Sequence, residues 1–218
     1  GVYANRLLVM IGLASMGVAG ALLLGQRDLK RMLAYSSVEQ MGILALATGL
    51  GAGATFVALL HLVNNALGKG ALFLAVGNVH RAFGGKTTGE VRGALRRLPV
   101  SGTIFLLSFF AVTGSPPFGL FVSEMLILKS VFAAHRWLVG GLFLAGLFVV
   151  FAGMGATSLA ALQGRPPASA RASSYRDGFA TAAPALLLLG LVLLFGLHLP
   201  AGIRDLIADA AAALEVGR

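Results

Sequence analysis

The stretch Thr113-Gly114-Ser115-Pro116-Pro117 interrupts an apolar run that reaches from Val100 to Ala134. A bilayer-spanning helix needs about 20 apolar residues, so this run is too long for one straight span. Two consecutive prolines remove two backbone donors and force a break in a helix. Gly114 can end the first half-helix, and the prolines can open the next. The sequence therefore predicts one discontinuous helix, which a membrane tolerates only where protein or a hydrated cavity surrounds the break.

The composition excludes most soluble classes of protein. Hydrophobic residues make up 57% of the 218 residues and charged residues only 11%, whereas a soluble domain carries roughly 25% charged residues. The net charge of +9 does not indicate nucleic-acid binding, because the basic residues lie between apolar runs and form no single patch. Since the chain has no cysteine, it can form no disulfide, iron–sulfur cluster or thiolate zinc site. We therefore expect an all-α, polytopic membrane protein.

Outward from the break, the apolar runs predict about six transmembrane helices. Three precede the interrupted run, at about residues 7–25, 32–50 and 55–79, and two follow it, at about 137–162 and 183–199. We divide the chain into a membrane domain, 1–199, and an amphipathic tail, 200–218. In the tail, apolar and charged residues lie on opposite helical faces. This pattern fits an interfacial helix or a merely exposed terminal helix.

The basic residues predict the orientation. Loops after the first, third and fifth spans carry eleven Lys and Arg residues, whereas the opposite side carries four, namely Arg6, Arg136, Arg204 and Arg218. Because cytoplasmic loops are enriched in Lys and Arg, we expect both termini to face outward. We expect the location to be the lipid bilayer of a prokaryotic inner (cell) membrane. Since the chain begins with Gly1 rather than Met, we expect it to be processed or the later part of something longer.

Ionisable residues inside the predicted spans are functional candidates, because a charge in a bilayer is costly. In the third span His61, Asn65 and Lys69 are spaced four residues apart and form one polar stripe. The stripe can serve ion transfer, or it can be a structural hydrogen-bonded seam between helices. Glu124 lies about two turns past Pro117, where a carboxylate near a broken helix is expected to handle ions. Its alternative role is that of a protonated carboxyl that serves only packing.

Three further charged residues complete the candidates. Lys30 follows the first span and can belong to a path or snorkel to the headgroups as an anchor. Glu39 lies deeper and can pair with Lys30 or Lys69. Lys129, five residues past Glu124, can lie on the exit side or act as an anchor. Since the sequence holds no Gly-rich phosphate loop, metal-spacing cluster or nucleophile elbow, we expect no catalytic residue, cofactor or metal.

Three motifs in this order resemble one family of membrane proteins. They are residues 28–42 (DLKRMLAYSSVEQMG), 61–69 (HLVNNALGK) and 113–124 (TGSPPFGLFVSE). They resemble the antiporter-like subunits of respiratory complex I, of Mrp-type cation/proton antiporters and of the membrane arms of energy-converting nickel–iron hydrogenases. The third motif is most similar to the hydrogenase-4-type subunits. The resemblance covers nearly the whole chain.

The resemblance implies a fold of fourteen helices with two inverted five-helix repeats, each with one broken helix, and a line of charged residues along the mid-membrane. This chain resembles the second repeat plus the final helix, so that another chain or a further portion would supply the first repeat. By resemblance, Lys30, Lys69 and Glu124 belong to the charged axis and outward proton path, with His61 as a relay. Asn65 and Gln40 stand where members of the family carry histidines.

The function implied is proton translocation by an antiporter-like subunit, or half-subunit, of a membrane-bound respiratory or hydrogenase oxidoreductase complex. Other membrane subunits would be its partners, and redox chemistry of the NADH:quinone oxidoreductase or hydrogenase kind would belong to them. Two alternatives stay open. The chain can be a Na⁺/H⁺ antiporter module of the Mrp type, or a non-conducting scaffold subunit with a dry seam around Lys69 and Glu124.

Overall fold

The computed structural model of the protein describes residues 2–51, 53–168 and 173–216. Over these residues the regular structure is helical, which confirms the all-α class, and the one β-bridge is an isolated pair between Asp28 and Thr87. The helices described are α1 (Val2–Leu23), α2 (Leu29–Gly49), α3 (Thr55–Phe83), α4 (Ala94–Arg97), α5 (Pro99–Val112), α6 (Gly119–Ala133), α7 (Trp137–Leu162), α8 (Phe179–Leu197) and α9 (Ala201–Val216).

Within the described ranges, four helices are long and apolar enough to cross a membrane, namely α1, α3, α7 and α8. Helix α2 has 21 residues but carries Lys30, Arg31 and Glu39, which lower its hydropathy. Helices α5 and α6 have 14 and 15 residues, fewer than the roughly 20 that a bilayer requires. The apolar helices therefore fall into a long class and a short class.

A non-helical segment, residues 113–118, joins α5 to α6. Gly114 follows the last turn of α5 with a φ of +63°, and the Ser115 amide donates to the Phe110 carbonyl at 3.0 Å. A left-handed glycine and a backward hydrogen bond are the usual end of a helix. Gly114 thus ends α5 as its sequence position predicts.

The prolines do not open the next helix, in contrast to the sequence prediction. Pro116 and Pro117 both lie in the connecting segment, and α6 begins at Gly119. A proline disfavours the helical region for the residue before it, which keeps Pro116 out of a helix. Phe118 is itself extended, with φ −79° and ψ 157°. The helix therefore starts two residues after the second proline.

Helices α1 and α2 pack with their backbones almost in contact, because glycines stand where they cross. A Cβ on Gly12 would lie 2.6 Å from the Gly42 carbonyl oxygen. A Cβ on Gly49 would lie 2.7 Å from the carbonyl oxygen of Asn5. Since real Cβ atoms do not approach backbone atoms so closely, no larger residue fits at either position without moving a helix.

Helix α3 lies at the centre of the fold. It packs against α2, α5, α6 and α8, and a larger share of it is buried than of α1, α7 or α8. Its polar residues are therefore enclosed by neighbouring helices rather than turned outward. Helix α9 packs on α3 as well, with Ile207 and Ala211 buried and Arg204 exposed. The Gly53 amide donates to Glu215 Oε1 at 2.9 Å, which ties α9 to the turn between α2 and α3.

Candidate functional site

Polar side chains from α2, α3 and α6 meet in the buried space between these helices. Each of them is at most 8% exposed, so none can rely on bulk water. We call them the central polar cluster, and its members are Ser36, Glu39, Gln40, His61, Asn64, Asn65, Lys69, Ser123 and Glu124. On each helix the members recur every three to four residues or adjoin one another, so they share one helical face.

Small residues let α6 approach α3 closely. A Cβ on Gly68 would lie 3.2 Å from side-chain atoms of both Val112 and Leu120, and a Cβ on Gly119 would overlap the side-chain amide of Asn64. Because these Cβ atoms are absent, the N-terminal turn of α6 can rest on α3. The close approach places polar groups of both helices within hydrogen-bonding distance.

Amide side chains hold both ends of the break. Gln40 Nε2 donates to the carbonyl of Val112, the last residue of α5, at 3.1 Å. Asn64 Nδ2 donates to the carbonyl of Gly119, the first residue of α6, at 3.0 Å. A buried carbonyl without a partner costs free energy. These two bonds therefore fix α2 and α3 to the two sides of the non-helical segment.

Two more hydrogen bonds connect the helices. Lys69 Nζ donates to Ser36 Oγ, which joins α3 to α2. His61 Nδ1 lies 3.0 Å from Ser123 Oγ, and the Ser123 hydroxyl donates to the Leu120 carbonyl at 3.0 Å. Since a hydroxyl has one proton, this arrangement assigns the donated proton of the first pair to His61 Nδ1. His61 Nε2 is then the basic nitrogen, and it is buried without a protein partner.

Three buried titratable groups of the cluster, Glu39, Lys69 and Glu124, are connected electrostatically through Glu39. The Glu39 carboxyl group is close enough to interact electrostatically with Lys69 and with Glu124, and the Gln40 side chain lies beside both carboxyl groups. Nevertheless, the ion pairs found within the described residues are confined to Lys86–Asp28 and Arg204–Asp205. Glu39 thus interacts with both the amine of Lys69 and the carboxyl group of Glu124, without forming a closed ion pair with Lys69.

Most members of the cluster keep one polar atom without a protein partner. Over the ranges that the structure describes, eight buried side-chain nitrogen and oxygen atoms accept or donate no hydrogen bond. Six belong to the cluster, namely Glu39 Oε2, Gln40 Oε1, His61 Nε2, Asn64 Oδ1, Asn65 Oδ1 and Glu124 Oε1. The remaining two, Thr55 Oγ1 and Ser108 Oγ, lie on α3 and α5. Such atoms are concentrated in this one region of the fold.

Comparison with known proteins identifies the family. Residues 1–150 match the family described as NADH:quinone oxidoreductase/Mrp antiporter, TM. The chain belongs to this antiporter family. The resemblance predicted from the three motifs is thereby confirmed. As a member of a transmembrane family with several apolar helices of spanning length, the chain is an integral membrane protein.

Two curated relatives of this antiporter-family chain carry functional names. A "Hydrogenase-4 component F homolog" of Methylacidiphilum infernorum (isolate V4) is 39% identical over 131 residues, which are 60% of this chain and 28% of the relative. The "Na(+)/H(+) antiporter subunit A1" of Staphylococcus aureus (strain MRSA252) is 32% identical over 141 residues, which are 58% of this chain and 18% of the relative. The matched part is therefore under a third of either relative.

Solved membrane complexes contain chains with the same fold. The Mrp complex from Dietzia sp. DQ12-45-1b superposes with a TM-score of 0.85 at 22% identity, over 98% of this chain and 48% of that one. The archaeal membrane-bound sulfane sulfur reductase gives 0.86 at 23%, over 93% and 34%. Respiratory complex I from Thermus thermophilus gives 0.79 at 24%, over 98% and 45%. The antiporter-family chain spans at most about half of each.

The structure places the candidate residues of the antiporter-family chain in two groups. His61, Asn65, Lys69 and Glu124 lie in the central polar cluster, and Glu39 joins them there. Lys30 and Lys129 are exposed and outside it. Lys30 stands in the first turn of α2, nine residues or about 13 Å along the helix from Glu39. The cluster therefore does not include every charge of the motifs.

Four members of the cluster were not among the candidate site residues from sequence, namely Ser36, Gln40, Asn64 and Ser123. Asn64 and Ser123 directly precede candidates in the chain, Gln40 directly follows Glu39, and Ser36 lies about one helical turn before Glu39. This proximity to candidates could have identified them from the sequence, because neighbouring polar residues on a helix can face the same broad polar interior. Gln40 and Asn64 hold backbone carbonyls, which the types of residue alone could not predict.

Proposed function

We propose that this chain conducts protons across a membrane, as an antiporter-like subunit or half-subunit of a membrane-bound respiratory or hydrogenase oxidoreductase complex. One observation carries the proposal. Buried acid, base and amide groups from three helices form a continuous cluster in which six polar atoms have no protein partner. The membership in the antiporter family and the named relatives support it.

The unpartnered atoms call for water. An unsatisfied buried polar atom costs roughly 1–3 kcal/mol, so six in one region would cost about as much as the whole stability margin of an ordinary domain. A water molecule typically makes about three hydrogen bonds to buried polar groups that otherwise lack partners. We infer that water occupies the cluster and links the titratable groups, which gives protons a hydrogen-bonded route.

The titratable groups form a sequence along that route. Lys69 is linked to Ser36, Glu39 interacts with both Lys69 and Glu124, and His61 keeps a buried Nε2 without a protein partner. Charges interact more strongly in a low-dielectric interior than in water. Loss of a proton at Lys69 therefore changes the field at Glu39, and a change at Glu39 is felt at Glu124. Lys30 and Lys129, being exposed, fit the role of interfacial anchors.

We further propose six membrane crossings, in which α1, α2, α3, α7 and α8 each cross once and α5 and α6 share one. Neither α5 nor α6 is long enough to span a bilayer alone, but together with the segment between them they are. Residues 1–199 then form the membrane domain and 200–218 the tail. Both termini face outward in a prokaryotic inner membrane. Another polypeptide, or a further portion of this one, supplies the first repeat of the family fold. Asn65 and Gln40 cannot titrate, so proton transfer past them would rely on water.

Sodium–proton exchange is the second candidate function. It is favoured by the name of the Staphylococcus aureus relative, a Na⁺/H⁺ antiporter subunit. The same two carboxyl groups, Glu39 and Glu124, would supply oxygen ligands of the kind that hard cations prefer. Uptake of ²²Na⁺ driven by an imposed proton gradient separates the two functions, because only sodium–proton exchange moves the isotope into the vesicles.

The deciding experiment compares Glu124→Gln with the unchanged protein in its complex, reconstituted in proteoliposomes. Gln keeps the shape of Glu but cannot take up or release a proton. We expect proton flux per assembled complex to fall to below about a tenth, in line with the usual contribution of a proton-transfer group. Glu90→Gln is the matched control, because Glu90 is an exposed loop carboxylate. Undiminished flux in Glu124→Gln would favour the scaffold alternative.

A further inference from the structure

The seam between α1 and α7 forms a groove on the outer surface of the helices, away from the central polar cluster. The two helices run parallel, because Gly20 of α1 packs on Val149 of α7 and Leu23 packs on Gly153 further along. Two cavities follow this seam. The first, of about 340 Å³, is lined by Arg6, Val9, Met10, Arg136 and Val139.

The second cavity, of about 250 Å³, continues the seam with apolar and small residues, namely Leu13, Met16, Gly17, Gly20, Leu142, Ala145, Gly146 and Val149. On both helices the lining positions recur every three to four residues, so they follow one another along a single face. From Arg6 to Gly20 the groove extends about 21 Å at 1.5 Å per residue. That length exceeds half of a hydrocarbon core of about 30 Å, so one leaflet is spanned.

The end of the groove at the helix N-termini carries two guanidinium groups. Arg6 and Arg136 are half of the four basic residues on that side of the chain, and the fold brings them to one cavity. Neither arginine takes part in the ion pairs found among the described residues. Helix α9, which carries the acidic residues Asp205 and Asp209 of this end, packs on α3 instead. The mouth of the groove therefore carries two guanidinium groups that form no ion pair among the described residues.

Aromatic residues place this mouth at the level of the headgroups. Trp137 adjoins Arg136 and is 65% exposed, and Tyr3 precedes Arg6 by one turn and is 82% exposed. Tryptophan and tyrosine are enriched at the interface between a membrane and water. The mouth thus offers cationic donors at the depth where lipid phosphates lie, and the apolar part of the groove runs from there towards the membrane centre.

We propose that the α1–α7 groove binds an anionic phospholipid, with its phosphate between Arg6 and Arg136 and one acyl chain in the apolar part of the groove. A guanidinium matches the geometry of a phosphate and can bind it through two donors. Gly17 leaves open space on the wall of the groove, since a Cβ there would meet no atom within 4 Å. A flexible hydrocarbon chain fills such a hollow without needing polar partners.

Lipid binding to the full chain, purified in a neutral detergent, tests the headgroup site. Native mass spectrometry compares phosphatidylglycerol with phosphatidylcholine of the same chain length, because only the former has a net negative charge. We expect phosphatidylglycerol to bind at about tenfold lower concentration. Arg6→Gln and Arg136→Gln, singly and together, should remove this preference, whereas Arg204→Gln on α9 should leave it unchanged. Equal binding of both lipids, or an unchanged preference in the double variant, would overturn the proposal.

Gly17→Leu tests the acyl-chain site. Leucine has room at this position and would occupy the groove, so phosphatidylglycerol binding should weaken while folding is kept. Gly141→Leu is the control, because Gly141 has equal space on α7 but does not line the groove. Inorganic phosphate distinguishes the source of the anion: displacement of the lipid at equal concentration would mean that the groove has no part in binding. Crosslinking of Gly17→Cys to a neighbouring subunit would instead show a protein helix there and contradict a lipid occupant.

Discussion

The carboxyl group of Glu124 lies directly against the backbone of Gly114, across the non-helical segment between α5 and α6. A Cβ built on Gly114 would lie 2.7 Å from Cδ of Glu124. The φ of Gly114, +63°, is also one that residues with a side chain rarely adopt. The carboxyl group therefore occupies the space that a side chain at position 114 would need, so that the helix end and the buried acid form one structural unit.

The first prediction is that Gly114→Ala displaces the Glu124 carboxyl group and strongly reduces proton flux in proteoliposomes. The left-handed backbone alone costs about 1–2 kcal/mol for a residue with a Cβ. Gly84→Ala is the matched control, because Gly84 has a φ of +69° and a Cβ there would meet no atom within 4 Å. Both variants should lose similar stability, and only Gly114→Ala should lose flux. Equal proton flux in the two variants would show that Gly114 does not position the Glu124 carboxyl group.

The second prediction ranks two members of the central polar cluster. Lys69→Met should lower proton flux more than His61→Gln, because methionine removes the amine that neighbours Glu39. In His61→Gln, the nearby Asn64 and Asn65 can still hold water beside Ser123. The measurement is flux normalised to assembled complex. Wild-type flux in Lys69→Met, at normal assembly, would exclude Lys69 from the route.

The third prediction concerns orientation. Cysteines at Gly89 and Gly202 should react with an impermeant thiol reagent from opposite sides of the membrane, with Gly89 on the cytoplasmic side. Both glycines are exposed and have room for a side chain. The chain has no cysteine of its own, so the unchanged protein is the blank. Labelling of both positions from one side would contradict the predicted topology.

The fourth prediction is a pH dependence outside the membrane-spanning segments. Glu90 accepts hydrogen bonds from Thr87 Oγ1 at 2.8 Å, from the Thr87 amide at 3.0 Å and from the Lys86 amide at 3.1 Å. These bonds, that of the Thr87 side chain first, lower the pKa of Glu90 below its ordinary value. Because the pKa is lowered, ionised Glu90 stabilises the loop fully at pH values above the ordinary pKa of a glutamate. The loop loses this stabilisation as the pH falls through the lowered pKa of the folded state.

Hydrogen exchange of the Lys86 and Thr87 amides therefore should become less protected in acid, after correction for the intrinsic rate. Thr87→Val removes the leading hydrogen bond and should raise the pKa of Glu90 towards its ordinary value. Thr88→Val serves as the control, since Thr88 does not bond to Glu90 in the described structure. A protection that does not change with pH would show that Glu90 does not hold this loop.

Helical periodicity was sufficient to group part of the central polar cluster. The spacing of His61, Asn65 and Lys69 already places them on one face of a helix, and the glycine and prolines of residues 113–117 predict the break. The central position of Glu39 could not be predicted in this way. It depends on how α2 lies against α3, which long-range contacts determine. For the same reason Lys30, in the same motif, is exposed.

The glycine contacts between α1 and α2 have a consequence for motion. Gly12 and Gly42 bring the two backbones together with no side chain between them that could change its rotamer. These two helices consequently form a rigid pair that keeps its geometry while other parts of the domain rearrange. We therefore expect gating of water in the interior to come from rotation of side chains rather than from movement between α1 and α2, for example of His61 and Ser123 where α3 meets α6.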